Sequence, residues 1–184
     1  MWKFILVLLL IATTVIAADI LYPSGYNFDN QYLINSQTIS TTDTLIISRT
    51  FSNNESFTVD GFYFSENIPD DFVMQNYTLT LNGNSISHDY DNTQISEFAG
   101  NNCYYWIVDD PSGTTQNSIS QGDEILLELK LTCDVAGNYI LPMHTNSFYG
   151  SQTPFFATDD EILVTVTSPP DTIPPGQIID FSVN

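Results

Sequence analysis

Alternation with a period of two residues constrains this chain more than any other feature. In residues 122–133, Ile125, Leu127, Leu129 and Leu131 fall on one side, and Glu124, Glu128 and Lys130 on the other. Successive side chains of a strand point to opposite faces, so this segment reads as a half-buried strand of an antiparallel sheet. The same period runs through residues 44–51, 56–64, 77–81, 103–108 and 138–141. It returns near the end of 155–168, where Ile162, Val164 and Val166 alternate with Thr165 and Thr167. Gly61 interrupts its segment and marks a bulge or bend. Residues 77–81 run into Asn82-Gly83 and leave through 85–87; Asn-Gly between alternating strands is a strong hairpin signal. No segment is long and periodic enough for a helix. The expected fold is all-β, an immunoglobulin-like antiparallel β-sandwich of about seven to nine strands, with a closed barrel as the other arrangement the pattern allows.

The first residues set the compartment. Lys3 supplies a positive charge, residues 4–12 are an unbroken apolar run, and Thr13-Thr14-Val15-Ile16-Ala17-Ala18 ends in small residues before the first acid, Asp19. A basic start, a short apolar core and small residues at a cut site mark a secretory signal peptide, with cleavage after Ala17 or Ala18. An uncleaved anchor needs about 20 apolar residues, more than this run holds before its two threonines. No later segment is apolar enough for the mature chain to insert in a membrane.

Removing the leader leaves Arg49 and Lys130 as the only Lys or Arg against 22 carboxylates. That balance excludes nucleic acid, which needs clustered Lys and Arg, and anionic membrane surfaces. It favours solubility, divalent cations or a basic partner. Twelve Phe, ten Tyr and two Trp are far more than an acidic disordered tail carries, so the chain packs a core.

Residues 168–176 hold Pro169, Pro170, Pro174 and Pro175, the composition of an extended, semi-rigid spacer. Residues 177–183 then alternate again. Asp171-Thr-Ile-Pro-Pro-Gly-Gln-Ile-Ile-Asp-Phe-Ser-Val183 resembles the opening of a fibronectin type III domain in multidomain bacterial exoproteins. The resemblance implies that 177–184 is the first strand of a truncated second domain; with the signal peptide over 1–18, the expected organisation is a sandwich module over 19–168 and a Pro-rich linker over 169–176. A tail that adds an edge strand to the sandwich is the alternative. A second resemblance covers the body. Ile47-Ser-Arg-Thr-Phe-Ser-Asn53, then Phe57 through Phe72 with Glu66-Asn67-Ile68-Pro69, is similar to the "conserved repeat" immunoglobulin-like modules of bacterial surface proteins. Those modules show Asp-x-Leu-Pro where this chain has Glu-Asn-Ile-Pro. The resemblance implies a spacer, adhesion or presentation role and carries no enzymatic activity.

Among chemistry-bearing residues, Cys103 and Cys133 are the only cysteines. Each sits at the outer end of a strand and export favours oxidation, so a structural disulfide is expected, with two buried thiols as the alternative. Asp109-Asp110 and Asp159-Asp160 lie at strand ends, where neighbouring loop carboxylates are candidate calcium ligands. Neither run matches a D-x-D-x-D-G loop, and Asp and Pro are also what turns prefer. His88 and His144 are far apart, with no spacing for a transition metal. No G-x-S-x-G, P-loop, G-x-G-x-x-G or H-E-x-x-H occurs, so no cofactor or catalytic residue is expected.

Sugar-binding candidates are the aromatics Tyr104, Tyr105, Trp106, Phe148, Tyr149, Phe155 and Phe156, whose flat rings can stack on pyranose faces. Alternation puts Tyr105 and Trp106 on opposite faces, and a strand Trp reads as core. Three functions remain in view. The first is a non-catalytic adhesion, scaffold or spacer module, a monomeric bead at the head of a longer secreted or cell-surface bacterial protein that meets an extracellular protein or polysaccharide. The second is a carbohydrate-binding module attached to a downstream enzyme. The third is a small secreted hydrolase.

Overall fold

In the computed structural model, residues 16–19, 27–59, 61–93, 100–110, 115–142, 145–148, 157–158 and 161–169 are described. They form fourteen strands: β1 (Ile16–Asp19), β2 (Phe28–Ile34), β3 (Thr38–Ser40), β4 (Leu45–Asn53), β5 (Phe62–Pro69), β6 (Phe72–Leu81), β7 (Asn84–Ser85), β8 (Asp89–Asp91), β9 (Asn101–Ile107), β10 (Glu124–Cys133), β11 (Gly137–Leu141), β12 (Thr145–Phe148), β13 (Ala157–Thr158) and β14 (Ile162–Thr167). The expected sandwich is present, divided more finely than the pattern suggested. Only β2, β4, β5, β6, β9, β10, β11 and β14 reach five residues. Of the shorter strands, β1, β3, β7, β8 and β13 stand at sheet edges and β12 lies between β13 and β5; all are too short to show a period.

One sheet runs β1-β2-β4-β10-β6-β7; opposite it lie sheets of order β13-β12-β5-β9-β8 and β11-β14-β3. All pairings are antiparallel except β14 with β3. Every sheet keeps open edges among the described residues, so the layers form a sandwich and not a barrel. One hydrophobic cluster takes side chains from all three sheets.

The strand β10 shows why the alternating segments fold this way. Of its inward residues, Ile125, Leu127, Leu129 and Leu131 are fully buried. Burying such side chains stabilises by roughly 1.5–3 kcal/mol each. Opposite, Phe51 of β4 stacks on Phe62 of β5 with ring centroids 4.6 Å apart, joining the layers. In β6 the inward phase changes midway. Lys130 faces Asn76 and Leu131 faces Met74, so Gln75 is an extra residue in a bulge. That shift lets Phe72 and Met74 before it and Tyr77, Leu79 and Leu81 after it all face the core.

The Asn82-Gly83 hairpin forms as its sequence predicts. Asn82 has φ 51° and Gly83 φ 77°, the two positive values of a type I′ turn. The Asn82 side chain donates to Asp123 at 2.7 Å and accepts from the Glu124 N–H at 3.0 Å, fastening the hairpin to the start of β10. The strand expected over 56–64 is instead split. Gly61 has φ 72°, only Val59 bridges to Ile119 before it, and β5 begins at Phe62.

The expected cleavage positions Ala17 and Ala18 lie in β1, opposite Leu33 and Tyr32 of β2. Of the linker expected over 169–176, residues 170–176 lie outside the described residues, as does the fibronectin-like segment over 177–184.

Candidate functional site

The interior contains charge. Arg49, at the middle of β4, and Glu66, on β5 opposite, are both 0 % exposed and paired at 2.5 Å. Arg49 Nη1 also donates to the Ser65 carbonyl at 2.9 Å. Its guanidinium lies over the rings of Phe64 and Tyr32, at 5.0 and 5.9 Å from their centroids. Arg49 stands between Ile47 and Phe51 on the buried side of β4. The pair joins sheet to sheet and is sealed from water, so it is a structural joint.

Asp109 and Asp110 are both tied into the loop after β9. Asp109 is 6 % exposed, and its two carboxylate oxygens accept from the Gly61 N–H at 2.6 Å and the Asn117 N–H at 3.1 Å. Those bonds fasten the loop after β9 to the bend before β5. The backbone of Asp110 closes the same loop by donating to the Thr115 carbonyl at 2.8 Å. Among the described residues no three His, Cys, Asp or Glu side chains are grouped to hold a metal. Asp159 and Asp160 lie outside the described residues. A polar depression of ≈ 100 Å³ on the outer face of the large sheet is lined by Asp29, Gln31, Thr50, Ser52 and Glu124. Two carboxylates there are fewer than a dedicated hard-cation site usually gathers.

The expected disulfide is not formed: no bond joins Cys103 and Cys133. The strand pair meant to bring them together does not exist. Cys103 is on β9, which pairs with β5 and β8, and Cys133 is on β10, which pairs with β4 and β6. Both side chains are buried, the alternative the sequence left open, and the Cys133 thiol donates to the Val135 carbonyl at 3.2 Å.

The aromatics divide as alternation requires. Trp106 is fully buried, while Tyr105 points to the other face beside Tyr63, ring centroids 5.6 Å apart. Tyr104, on the Trp106 face, belongs to a row that the sequence did not reveal. Tyr90 of β8 lies directly across from Trp106, and Tyr77 arrives from β6 in the opposite sheet. Tyr77 and Tyr90 are 5.3 Å apart with planes at 25°; Tyr90 and Tyr104 are 6.3 Å apart with planes at 20°. Trp106 meets Tyr77 edge-on at 5.6 Å and lies tilted against Tyr90 at 5.6 Å. His88 Nε2 bonds the Tyr77 hydroxyl at 3.1 Å, and its Nδ1 bonds the Ile86 carbonyl at 3.1 Å, so the ring nearest the hairpin is held in place.

Tyr90 is 38 % exposed, and Tyr77 and Tyr104 are half-buried. Burial, then the charges of Tyr104 and Tyr77, push the Tyr90 phenol up to about 12. Burial also raises Tyr77, and burial with Asp70 raises Tyr104. All three therefore stay protonated at ordinary pH and can donate hydrogen bonds. Phe148 lies in β12; Tyr149, Phe155, Phe156 and His144 lie outside the described residues.

No family model matches the chain, and no curated protein is similar to it in sequence. Solved structures do resemble it. A cohesin module from a Clostridium perfringens family 33 glycoside hydrolase has TM-score 0.49 and 11 % identity, covering 77 % of this chain and 98 % of that one. The major pilin subunit BcpA of Bacillus cereus has TM-score 0.48 and 10 % identity over 77 % of this chain and 40 % of that one. AvmM, which catalyses a macrocyclization in alchivemycin A biosynthesis, has TM-score 0.46 and 13 % identity over 83 % of this chain and 98 % of that one.

Proposed function

We propose that this chain is exported and works as a non-catalytic extracellular module, a bead at the head of a longer bacterial surface or secreted protein, meeting a protein or polysaccharide partner. The observation that carries this reading is the use made of buried charge. Among the described residues, the buried charged side chains Arg49, Glu66 and Asp109 all hold sheet to sheet or loop to strand. An active site instead gathers perturbed ionisable groups where a substrate can reach them. The leader-like start and the Pro-rich joint before a fibronectin-like segment support the placement outside the cell and in a string of domains.

The test is expression of the whole chain in a bacterial host, followed by fractionation and N-terminal sequencing. The expected product is outside the cytoplasm and begins at Ala18 or Asp19. Full-length protein retained in the cytoplasm overturns the reading. The carbohydrate-binding alternative also has an observation in its favour, the near-parallel row of Tyr77, Tyr90 and Tyr104.

A further inference from the structure

Two aromatic rings in contact sit about 3.5–4 Å apart, plane to plane. Centroid separations of 5.3 and 6.3 Å at small interplanar angles therefore mean that Tyr77, Tyr90 and Tyr104 are each slid sideways past the next. Such a staircase leaves each ring only partly covered by the next, and Tyr90 as a whole residue is 38 % exposed. The row is stiff before any ligand arrives. Trp106 packs against Tyr77, Tyr90 and Tyr104, and His88 bonds the Tyr77 hydroxyl. Little side-chain freedom remains to be lost on binding, which favours affinity.

We propose that the Tyr77–Tyr90–Tyr104 row is a binding strip for a neutral polysaccharide, its successive sugar rings lying along the tyrosine faces. The proposal deepens the module reading above and rests on it. The C–H groups on one side of a pyranose carry slight positive charge and suit the negative face of an aromatic ring. Sugar hydroxyls can accept from the phenols and donate to Asp70, the carboxylate whose charge acts on Tyr104.

Charge selects the class of ligand. The chain carries 22 Asp and Glu, and Lys130 is the one exposed Lys or Arg among the described residues. Anionic glycans are repelled by such a surface. Asp89 and Asp91 flank Tyr90 along β8, but strand alternation turns them to the opposite face. Asp70 aside, the strip is phenol and ring face, which suits an uncharged hydroxyl-rich chain better than a cationic peptide.

The test is native affinity electrophoresis of the 19–184 chain in gels containing laminarin, xyloglucan or galactomannan, with hyaluronan as the anionic control and a hexa-arginine peptide titrated separately. At least one neutral glycan is expected to retard the protein and hyaluronan is not. Tyr90→Ala and Tyr104→Ala should each weaken retardation by about tenfold, the scale of one stacked ring. Tyr90→Phe, which keeps the ring, should retain most of it, and Tyr63→Ala on the opposite face should change nothing. Thermal melts of each variant separate lost binding from lost folding. The proposal is overturned if no neutral glycan retards the protein, if retardation survives both alanine variants, or if hexa-arginine alone binds in a Tyr90-dependent way. Each of those results leaves export and N-terminal processing untouched, so the module reading stands or falls separately.

Discussion

Arg49 and Glu66 meet across the middle of the sandwich, each fully shielded from water, as a charge pair between facing sheets. Desolvating two ions costs several kcal/mol each, which their attraction offsets only when the geometry is good. Here the guanidinium also reaches a backbone carbonyl and lies over two aromatic rings. A chain this acidic thus keeps one of its few cations in its interior, balanced there by one of its carboxylates.

Removing one partner strands the other. Arg49→Met should destabilise by about 3–5 kcal/mol, because Glu66 is left buried and uncompensated. The double variant Arg49→Met/Glu66→Leu should recover most of that loss. Urea denaturation of the two single variants and the double measures the coupling. A double variant as unstable as Arg49→Met alone would show that the pairing is not the cause.

The Asp109 carboxylate organises a loop by accepting from two backbone N–H groups. Asp109→Ala strands the N–H groups of Gly61 and Asn117 and should cost about 1–3 kcal/mol for each one left unsatisfied. Faster hydrogen exchange at those two amides is the local readout. The wild-type melting temperature should be the same in calcium and in chelator; a rise with calcium that Asp109→Asn abolishes would reverse this assignment.

Alkaline pH should unfold the protein through its tyrosine row. The folded Tyr90 phenol holds its proton to about 12, whereas the unfolded one loses it near 10. Stability from this source is complete below about pH 10 and falls as pH rises toward 12, since the unfolded chain then binds fewer protons. Tyr90→Phe cannot ionise, so its urea midpoint should decline less steeply across that window. Equal slopes would place the loss elsewhere.

Alkylation settles the state of the cysteines. Unfolded without reductant, Cys103 and Cys133 should both take up iodoacetamide, read as two adducts by mass spectrometry. In the native protein both should be protected, with side chains 5 % and 1 % exposed. No adducts in denaturant would mean a disulfide after all.

Much of this was readable in the chain. The inward faces of β4 and β10, the Asn82-Gly83 turn, the burial of Trp106 and the opposite orientation of Tyr105 follow from local rules. The bulge at Gln75 was not readable, because it depends on where β10 runs beside β6. The tyrosine row was missed for a related reason. Tyr77, Tyr90 and Tyr104 are each separated by thirteen or fourteen positions and come from two sheets. No local pattern links them.

What the sequence alone determined is the period: which side of each long strand is apolar, and hence that two layers must cover one another. Alternation is local, set by the pleat of a single strand and the cost of leaving its apolar side in water. Only the tertiary structure decided which strands became neighbours. That choice separated Cys103 from Cys133, set Glu66 opposite Arg49, and brought three distant tyrosines into one row. Pairing and facing depend on contacts between residues far apart in the chain, which no window of sequence contains.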